Sequence, residues 1–485
     1  MAATPRVRKA VAVPEDGSVR DQMPEKHPVD EKLPPLKMMT SGLQHVAAMY
    51  AGVVAPPLIV GAAVGLSAKE LTFLTGASLF CAGIATLLQT LGFWKIGAKL
   101  PFVNGVTFAG VAPMLAIVDQ TKDKDDALPI IYGAIIVAGL LGFVAAPFFS
   151  KLVRFFPPVV TGTVITLIGV SLMPVAFGWA QGPNPAAEDY GSMKYLALAG
   201  ISLVIVLLIR RFTTGFVKQI AVLLGLVIGT FVAIPFGVTD FSAIGEADII
   251  GFPTPFHFGV PQFAAAAIVS MIVVMIVSMT ESTADMLALG QIVEKPADEK
   301  TIAAGLRADT LGSALSPLFN GFMASAFAQN VGLVAMTKIR SRFVVAVGGG
   351  FLILIGLMPV AASLIATVPR PVLGGAGVVL FGSVAASGVQ TLAKAGLEKD
   401  NNILIVAVSL AIGLIPIAAP EFYHAFPETA MIILDSGIST GCVAAVLLNL
   451  VFNHTGKNRA DDDEVAHAME PGETLSETRA PAAAH

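Results

Sequence analysis

Charged residues and cysteines are both scarce in this sequence. Only 13% of the 485 residues are Asp, Glu, Lys or Arg, whereas a soluble globular domain has about 25%. The two cysteines, Cys81 and Cys442, lie far apart in apolar runs, which argues against a disulfide or a metal site. The formal net charge of −4 gives no indication of a charged partner, and we expect no nucleic acid to bind. A soluble globular protein is therefore excluded.

Hydrophobic residues, in contrast, make up 55% of the chain and give it a mean hydropathy of +0.78. The apolar runs and the loops between them predict an all-α integral membrane protein with about fourteen transmembrane spans. The predicted spans are 40–66, 70–93, 100–118, 128–149, 157–178, 194–210, 216–236, 262–289, 301–318, 320–337, 343–366, 371–393, 402–419 and 428–452. The third and the tenth are short and interrupted.

The basic residues predict how the spans are oriented. Lys and Arg are concentrated in alternate loops, whereas the loop 237–261 contains Asp240, Glu246 and Asp248 and no basic residue. By the positive-inside rule, this asymmetry requires an even number of spans with both termini in the cytoplasm. Fourteen spans divide into two sets of seven, which fits an inverted repeat.

The chain accordingly divides into five segments. Residues 1–36 and 454–485 are polar and lack an apolar core, so we expect disordered cytoplasmic tails there. Residues 37–236 and 262–453 are the two predicted seven-span repeats, and 237–261 is the extracellular or periplasmic loop between them. The expected location is the cell membrane, which is the inner membrane where a cell has two.

The two interrupted spans have matching sequences. Each combines an asparagine with nearby glycine, as Asn104 with Gly105 and Asn330 with Gly332. This pattern is typical of repeats that each contribute a broken helix to a binding site at the bilayer midplane. An unpaired carboxamide in hydrocarbon costs several kcal/mol, so Gln329 and Asn330 are expected to face a cavity, a ligand or a partner helix. The two glycines would let backbone approach a ligand closely.

Three acidic residues lie in or beside apolar spans. Glu281 and Asp285 are four residues apart and share one helical face. Two buried carboxylates so close together cannot both remain ionised cheaply, so one of them is expected to exchange a proton. The alternative is that the pair caps the helix at the water interface. Asp309 could carry the proton, or it could tie the ninth span to the eighth.

Other polar and aromatic residues near these spans allow two interpretations. Gln44 and His45 either hydrogen-bond to neighbouring helices or support the site. Phe108, which follows Thr107, either packs in the core or stacks on a flat ring. A carboxylate, a carboxamide and free backbone amides suit a flat heterocycle with donors and acceptors on its edge. Neither the residues of a metal site nor an assembled nucleophile is evident, so we expect neither a cofactor nor an enzyme.

Together these residues resemble the nucleobase–ascorbate transporter family, also called nucleobase:cation symporter family 2. Its signature is Gln, Glu or Pro, then Asn, any residue, Gly, four residues and Thr, which is matched from Gln329 to Thr337. The resemblance covers about residues 37–453. Also matching are Gln44-His45, Glu281-Ser282-Thr283 with Asp285, Asp309, and the run from Gly105 to Ala109.

The resemblance implies a core domain and a gate domain built from two intertwined seven-helix inverted repeats, usually as a homodimer. It implies that Glu281 and Gln329 grip a base and that Ala328 and Phe108 contribute backbone or ring contacts. It also implies that Asn330 supports the site, with Asp285 and Asp309 in a proton-linked network. Gln44, His45 and Asn104 are grouped with this supporting network. Asn104 departs from the family pattern, since many bacterial relatives have Gln there.

Within this family, uracil carriers have Glu where this chain has Gln329 and His where it has Asp285, so the chain is more similar to the purine branch. Thr107, a small hydroxyl residue, resembles that of carriers that also accept uric acid. The resemblance therefore implies a proton-coupled symporter that imports purine nucleobases, above all uric acid and xanthine, by alternating access. The alternatives are a uracil or other nucleobase permease, or an anion transporter with the same seven-plus-seven fold.

Overall fold

The computed structural model describes residues 27–149, 155–239, 241, 245, 248–398 and 400–454. Most of the two predicted tails, residues 1–26 and 455–485, lies outside these ranges. Parts of the predicted loop 237–261 also lie outside them.

The first half of the chain is mostly helical. Its helices are α1 (Pro35–Val64), α2 (Ala68–Thr90), α3 (Val111–Gln120), α4 (Lys124–Ala145), α5 (Pro158–Ser171), α6 (Met173–Gln181), α7 (Met193–Phe212), α8 (Gly215–Gln219) and α9 (Ala221–Ala233). Several ends follow from local sequence. Pro35 begins α1, and Gly65, which adopts a φ of 88°, ends it. A capping box between Ser67 and Glu70 begins α2.

The second half has a similar arrangement. Its helices are α10 (Ala265–Ile292), α11 (Glu299–Leu315), α12 (Ala328–Thr337), α13 (Arg342–Gly356), α14 (Pro359–Ala366), α15 (Arg370–Leu392), α16 (Asp400–Ala418), α17 (Glu428–Leu434) and α18 (Gly437–Asn449). A π-helical turn, Leu450–His454, follows α18. The Asp298 carboxylate accepts from the Thr301 backbone N–H at 2.8 Å and so caps the start of α11.

Fewer helices are long enough to cross a membrane than the fourteen spans that the sequence predicts. Among the described residues, nine helices have the length and apolar composition needed to cross a bilayer, and three apolar helices are shorter. The shorter ones are Phe108–Gln120, Ala221–Phe236 and Arg342–Gly356. The chain is therefore a multi-pass membrane protein, and the count of fourteen spans stays a prediction.

The interrupted spans three and ten are not purely helical. Each begins with a strand, β1 (Asn104–Val106) or β2 (Ala324–Ala326), before its short helix. The two strands pair antiparallel, with Asn104 opposite Ala326 and Val106 opposite Ala324. Pairing satisfies the backbone N–H and C=O groups that a broken helix would leave unbonded at membrane depth. The two strands are a short exception to the predicted all-α architecture.

Residues 27–34, which we predicted to be part of the disordered tail, are ordered against the body of the protein. Val29 is fully buried, and Asp30 forms ion pairs with Lys295 at 3.3 Å and with Arg342 at 2.7 Å. The Ser341 hydroxyl donates to the Glu31 carbonyl at 2.5 Å. These contacts are tertiary, so the composition of the segment alone gives no sign of them.

The helices pack into two bundles, which we call the core bundle and the gate bundle. The core bundle contains α1–α4, the strand pair and α10–α14, with α2 against α13 and α4 against α10 and α11. The gate bundle contains α5–α9 and α15–α18, with α5 against α15 and α18. The bundles meet where α17 contacts α3 and α10, and there Gln120 Nε2 donates to Asp435 Oδ2 at 3.2 Å.

Candidate functional site

The starts of the two short helices lie next to the strand pair and differ in capping. After β1, the Thr107 hydroxyl accepts from the Ala109 N–H at 3.2 Å and caps the 3-10 turn Phe108–Gly110. After β2, α12 begins at Ala328, and no side chain among the described residues caps it. A helix start without a cap leaves backbone N–H groups directed outward, toward an acceptor. The second repeat therefore offers donors that the first does not.

The residues at the start of α12 are accessible. Ala328 and Gln329 are exposed, and Gln329 has no hydrogen-bond partner among the described residues. Phe108, at the start of the opposing turn, is half-buried, and its ring lies edge-on to Phe381 of the gate bundle at 5.9 Å between centroids. A primary amide with both its donors and its acceptor free is available for a ligand.

Asn330, the next residue, points into the protein. Its Nδ2 lies 3.0 Å from Nδ1 of His45 and 3.0 Å from the His45 backbone oxygen. Both side chains are buried, and they come from different repeats. The amide therefore fixes the start of α12 against α1, and the two residues predicted to support the site are brought together.

Glu281 is one of the residues that line a small cavity between the bundles. The cavity is bounded by Val277, Thr280 and Glu281 of α10 and by Phe156, Thr161, Val164 and Ile165 in and just before α5. Among the described residues, no group donates a hydrogen bond to the Glu281 carboxyl group. The next residue, Ser282, accepts from the Ala326 N–H at 3.3 Å, which holds α10 against the chain two residues before α12 begins. Glu281 and the start of α12 are thus neighbours.

Asp309 lies at the centre of a buried amide network. Its Oδ1 accepts from Gln89 Nε2 at 2.6 Å and, at short range, from Asn104 Nδ2. Gln89 also donates to the Gly305 carbonyl at 2.9 Å, and its Oε1 accepts from the Ala98 N–H at 2.9 Å. Asp309 therefore links α2, β1 and α11, in agreement with its grouping with Asn104.

Gln89 is a residue that our reading of the sequence missed. It is fully buried near the end of α2 and carries three of the bonds in this network. The sequence did contain a sign of its role, because an uncharged polar side chain inside an apolar span requires partners. Its partners, however, are more than 200 residues away in sequence, apart from Ala98.

Asp285 lies on α10, four residues after Glu281. Its carboxyl group is close enough to interact electrostatically with both Glu281 and Asp309. The three carboxyl groups therefore influence one another electrostatically. Among the described residues, no cluster of His, Cys, Asp and Glu could hold a metal ion.

Of the two glycines in the interrupted spans, Gly105 differs from our expectation and Gly332 does not. A Cβ at Gly105 would lie 2.7 Å from Phe327 Cε2 and 2.9 Å from Met49 Cε, so Gly105 is required by protein packing and not by a ligand. A Cβ at Gly332 would meet no atom of the described residues within 4 Å. Of these two glycines, only Gly332 has open space beside it.

Two of the predicted site residues, Gln44 and Thr107, have less evident roles in the structure. Gln44 is half-buried and forms no hydrogen bond with the described residues, so its supporting role stays a prediction. Thr107 is only 3% exposed, and its hydroxyl is used within its own turn. Any influence of Thr107 on a ligand is therefore exerted mainly through the position of Phe108.

Residues 36–422 match a protein family described as the Permease family. The chain belongs to this family. The match confirms the resemblance drawn from the signature, and it covers most of both bundles. The Permease family is a family of transport proteins.

Several curated members of the Permease family are similar over nearly their whole length. The xanthine permease of Bacillus subtilis is 41% identical over 428 residues, 88% of this chain and 96% of that protein. The uric acid permease PucK of the same organism is 43% identical over 426 residues, 88% of this chain and 98% of that protein. The uric acid transporter UacT of Escherichia coli is 41% identical over 427 residues, 88% of each chain.

Solved structures with low sequence identity have the same fold. The transmembrane domain of the cyanobacterial bicarbonate transporter BicA superposes with a TM-score of 0.59 at 18% identity, over 86% of this chain and 98% of that one. SLC26A9 superposes with a TM-score of 0.55 at 13% identity, over 86% of this chain and 65% of that one. The fold is therefore the seven-plus-seven inverted repeat of these membrane transporters.

Proposed function

We propose that this permease is a proton-coupled symporter that imports purine nucleobases, principally uric acid and xanthine, by alternating access. The observation that carries the proposal concerns the side chains of Gln329 and Glu281. Both side chains lack a hydrogen-bond partner among the described residues, and both lie beside the uncapped start of α12. The names of the similar xanthine and uric acid permeases support the same substrate class.

The chemistry of these groups suits an oxidised purine. A carboxylate accepts from ring N–H groups, and the Gln329 amide together with the backbone N–H groups of α12 can donate to ring carbonyls. The half-buried Phe108 ring can contact the flat face of the base. A purine dione or trione, with N–H and C=O groups alternating around its edge, would satisfy all of these groups at once.

The proton would be held by the three carboxyl groups. Asp285 interacts electrostatically with both Glu281 and Asp309, and Asp309 belongs to the amide network. A permanent charge is costly at such positions, so a carboxyl group that binds and releases a proton is favoured over one that stays ionised. A substrate that donates to Glu281 would favour its ionised form, and the proton would then reside on a neighbouring carboxyl group.

The division into bundles is consistent with alternating access. The bundles are joined at the α3–α17 contact through Gln120 and Asp435, whereas a cavity separates them beside Glu281. We propose that the described conformation is closed on the side of the α3–α17 contact. We also propose that both termini are cytoplasmic. We further propose that the protein is a homodimer in the inner membrane, on the basis of the resemblance and the distribution of basic loops.

A second candidate is an anion transporter, because the structural neighbours include one named as a bicarbonate transporter. That likeness supports the fold only. We favour the purine, because the similar proteins named xanthine and uric acid permeases are more than 40% identical to this chain, whereas the bicarbonate transporter is 18% identical.

The experiment is uptake of labelled xanthine or uric acid by cells expressing the chain, in competition with unlabelled uric acid, xanthine, hypoxanthine, guanine and uracil. We expect uric acid and xanthine to compete best. In vesicles, an imposed pH gradient should drive accumulation, and a protonophore should abolish it. Strong competition by uracil alone would contradict the purine assignment, and accumulation driven by a sodium gradient at constant pH would contradict proton coupling.

A further inference from the structure

Two buried serine hydroxyls bond to the outer edge of β2. The Ala324 N–H donates to Ser313 of α11 at 2.9 Å, and the Ala326 N–H donates to Ser282 of α10 at 3.3 Å. Both serines are fully buried. An unpaired strand edge is costly inside a membrane, so these hydroxyls replace the partners that a third strand would provide. The edge of β2 is therefore held by side chains of two different helices.

The two serines differ in the use of their hydroxyl protons. Ser313 donates to the Asp309 backbone carbonyl at 2.8 Å. Ser282 donates to no carbonyl of the described residues, although Thr280 and Thr283 on the same helix donate to the carbonyls one turn back, at 2.9 Å and 2.7 Å. The hydroxyl proton of Ser282 is therefore available for another acceptor.

A buried acceptor without a hydrogen bond lies near this hydroxyl. Oδ2 of Asp309 is buried and accepts from no group of the described residues, because Gln89 and Asn104 both donate to Oδ1. The Ser282 side chain is close enough to interact with the Asp309 carboxyl group. A buried donor and a buried acceptor that are neighbours and have no other partner are expected to bond to each other.

We propose that Ser282 is a positioning residue that couples the protonation of Asp309 to the start of α12. The inference rests on the proposed function. When Asp309 is ionised, the Ser282 hydroxyl donates to Oδ2, which polarises the hydroxyl oxygen and strengthens its bond from the Ala326 N–H. When a proton binds to Oδ2, the carboxyl O–H donates to Ser282 Oγ, and the Ser282 proton turns to a carbonyl of its own helix. The bond from Ala326 then weakens, because two donors share one oxygen.

The position of Ala326 allows this change to reach a ligand. Ala326 lies two residues before α12 begins, and a bond of 3.3 Å is at the long end of the range for an N–H donor, so it is readily lost. While the bond holds, β2 stays against α10. Once it weakens, the backbone N–H groups and Gln329 at the start of α12 can move onto a purine. Purine binding and protonation of Asp309 then favour each other.

Among the described residues, few charged groups are near Asp309. From α10, Asp285 interacts with it electrostatically, and Glu281 lies one turn before Asp285. On α11 itself, Arg307 donates to the Lys95 carbonyl at 3.3 Å. The charged residues of α2 and α4 lie within the first three positions of each helix, whereas Asp309 meets α2 next to its last residue. The other titratable side chains of α2 and α4 bond to carbonyls of the turn before β2, and these are Cys81 and Tyr132.

The test measures the xanthine affinity of the purified protein at acidic and at alkaline pH. In the wild type the affinity should be higher at acidic pH. In Ser282→Ala the ratio of the two affinities should fall about fivefold or more, which is the lower limit of an ordinary coupling between two sites. Ser282→Thr keeps the hydroxyl and should keep the ratio. Ionisation of xanthine itself contributes equally in all the proteins, so it cancels in the comparison.

The matched control is Ser313→Ala. This variant removes the other hydroxyl on the edge of β2, and Ser313 bonds to the backbone of Asp309 and not to its carboxyl group. Any loss of affinity should therefore be equal at both pH values. An unchanged ratio in Ser282→Ala, or an equal fall of the ratio in Ser313→Ala, would overturn the inference, because a residue that only holds the strand acts alike at every pH.

Two further backgrounds separate Asp309 from Asp285. In Asp309→Asn no exchangeable proton remains at this position, so the addition of Ser282→Ala should leave the ratio unchanged. In Asp285→Asn the addition of Ser282→Ala should still lower it. The reverse pattern would assign the coupling to Asp285 and overturn the inference.

Hydrogen exchange covers the case in which variants of Ser282 do not fold. Exchange of the Ala326 amide, resolved from that of Ala324, is compared between the wild type and Asp309→Asn at the same alkaline pH. Asp309→Asn mimics the protonated acid, so the Ala326 amide should exchange faster in it, whereas the Ala324 amide should not. Equal exchange of the Ala326 amide in both proteins would overturn the inference. This measurement needs no substrate, so absence of xanthine binding by the wild type would contradict the proposed function instead.

Discussion

Asn330 and His45 are joined by two contacts from a single amino group. Nδ2 of Asn330 lies 3.0 Å from both the His45 carbonyl and His45 Nδ1, so one amide hydrogen is directed to each. Because Nδ1 accepts, the ring proton of a neutral His45 is placed on Nε2. Oδ1 of Asn330 is buried without a donor among the described residues. The amino group, and not the carbonyl, is thus the part of Asn330 that connects the two repeats.

Replacement of Asn330 by Asp should be more damaging than its replacement by Ala. A carboxylate oxygen would face the His45 carbonyl and repel it, whereas Ala only leaves two acceptors unpaired. An unpaired buried group costs about 1–3 kcal/mol, and a repulsive charge costs more. We expect Asn330→Ala to lower the thermal stability of the purified protein and Asn330→Asp to lower it further, with uptake falling in the same order. Stability equal to that of the wild type in both variants would show that the pairing contributes nothing.

Gln329→Glu should lower purine uptake. The substitution replaces the two donors of an exposed, unpartnered amide with an acceptor, in a region where Glu281 already accepts. Its effect should be on affinity and not on folding, because Gln329 has no protein partner to lose among the described residues. Competition assays should give weaker binding of xanthine at an unchanged protein level in the membrane. Unchanged affinity and selectivity would remove Gln329 from the site.

Thr107→Asn should shift the preference from uric acid toward xanthine. Asn also caps helices, so the turn that presents Phe108 should persist, while the larger amide alters the position of that ring. We expect about 1–3 kcal/mol of discrimination between the two purines. The check is the ratio of the two affinities, with Thr107→Ser as the control that keeps the hydroxyl cap. A ratio equal to that of the wild type would remove the main support for uric acid as a substrate.

Asp309→Asn should remove the exchangeable proton of residue 309 and keep its hydrogen bonds. The Oδ1 of an asparagine can still accept from Gln89 and Asn104, so the amide network should survive while the exchangeable proton is lost. We expect the variant to bind purine within about threefold of the wild type, because the loss of a direct contact would lower the affinity about tenfold or more. Accumulation of purine in a pH gradient should be lost. Gln89→Leu is the opposite control, since it removes the network and leaves the acid. Full accumulation by Asp309→Asn would exclude Asp309 as the coupling group.

The ion pairs of Asp30 predict a pH-dependent contribution to stability outside the membrane. Burial opposes ionisation, but Lys295 and Arg342 outweigh it, so the pKa of Asp30 is lowered from its usual value. A lowered pKa in the folded state stabilises the protein above the unfolded pKa of about 3.9, and this contribution is lost as pH falls through the lowered value.

Asp30→Asn should therefore lower the melting temperature at neutral pH, by an amount that corresponds to about 0.5–1 kcal/mol for a partly exposed pair. The difference from the wild type should shrink as pH is reduced below about 4, near the usual pKa of Asp. Glu31→Gln is a suitable control, because the structure uses the Glu31 backbone and not its carboxylate. A difference that stays constant from pH 7 to pH 3 would contradict the ion-pair explanation.

The amino-acid sequence by itself determined the class of the protein and indicated its candidate site residues. A membrane allows few ways to place Glu281, Asp309, Gln329 and Asn330 in apolar spans, because each polar group needs a partner or a ligand there. The interrupted spans were visible because each combines an asparagine with a nearby glycine in a short apolar run, a pattern typical of broken membrane helices. Local chemistry and the cost of burial were sufficient for these predictions.

Only the tertiary structure decided which polar groups meet. Gln89 reaches Asp309 from 220 positions away, and Asn330 reaches His45 from 285 positions away, so no local pattern encodes either pair. The strand pair that replaces two helix ends, the order of residues 27–34 and the packing role of Gly105 also depend on distant segments. Burial in the membrane determines which polar groups need partners, whereas the packing of the two repeats against each other determines which partners they have.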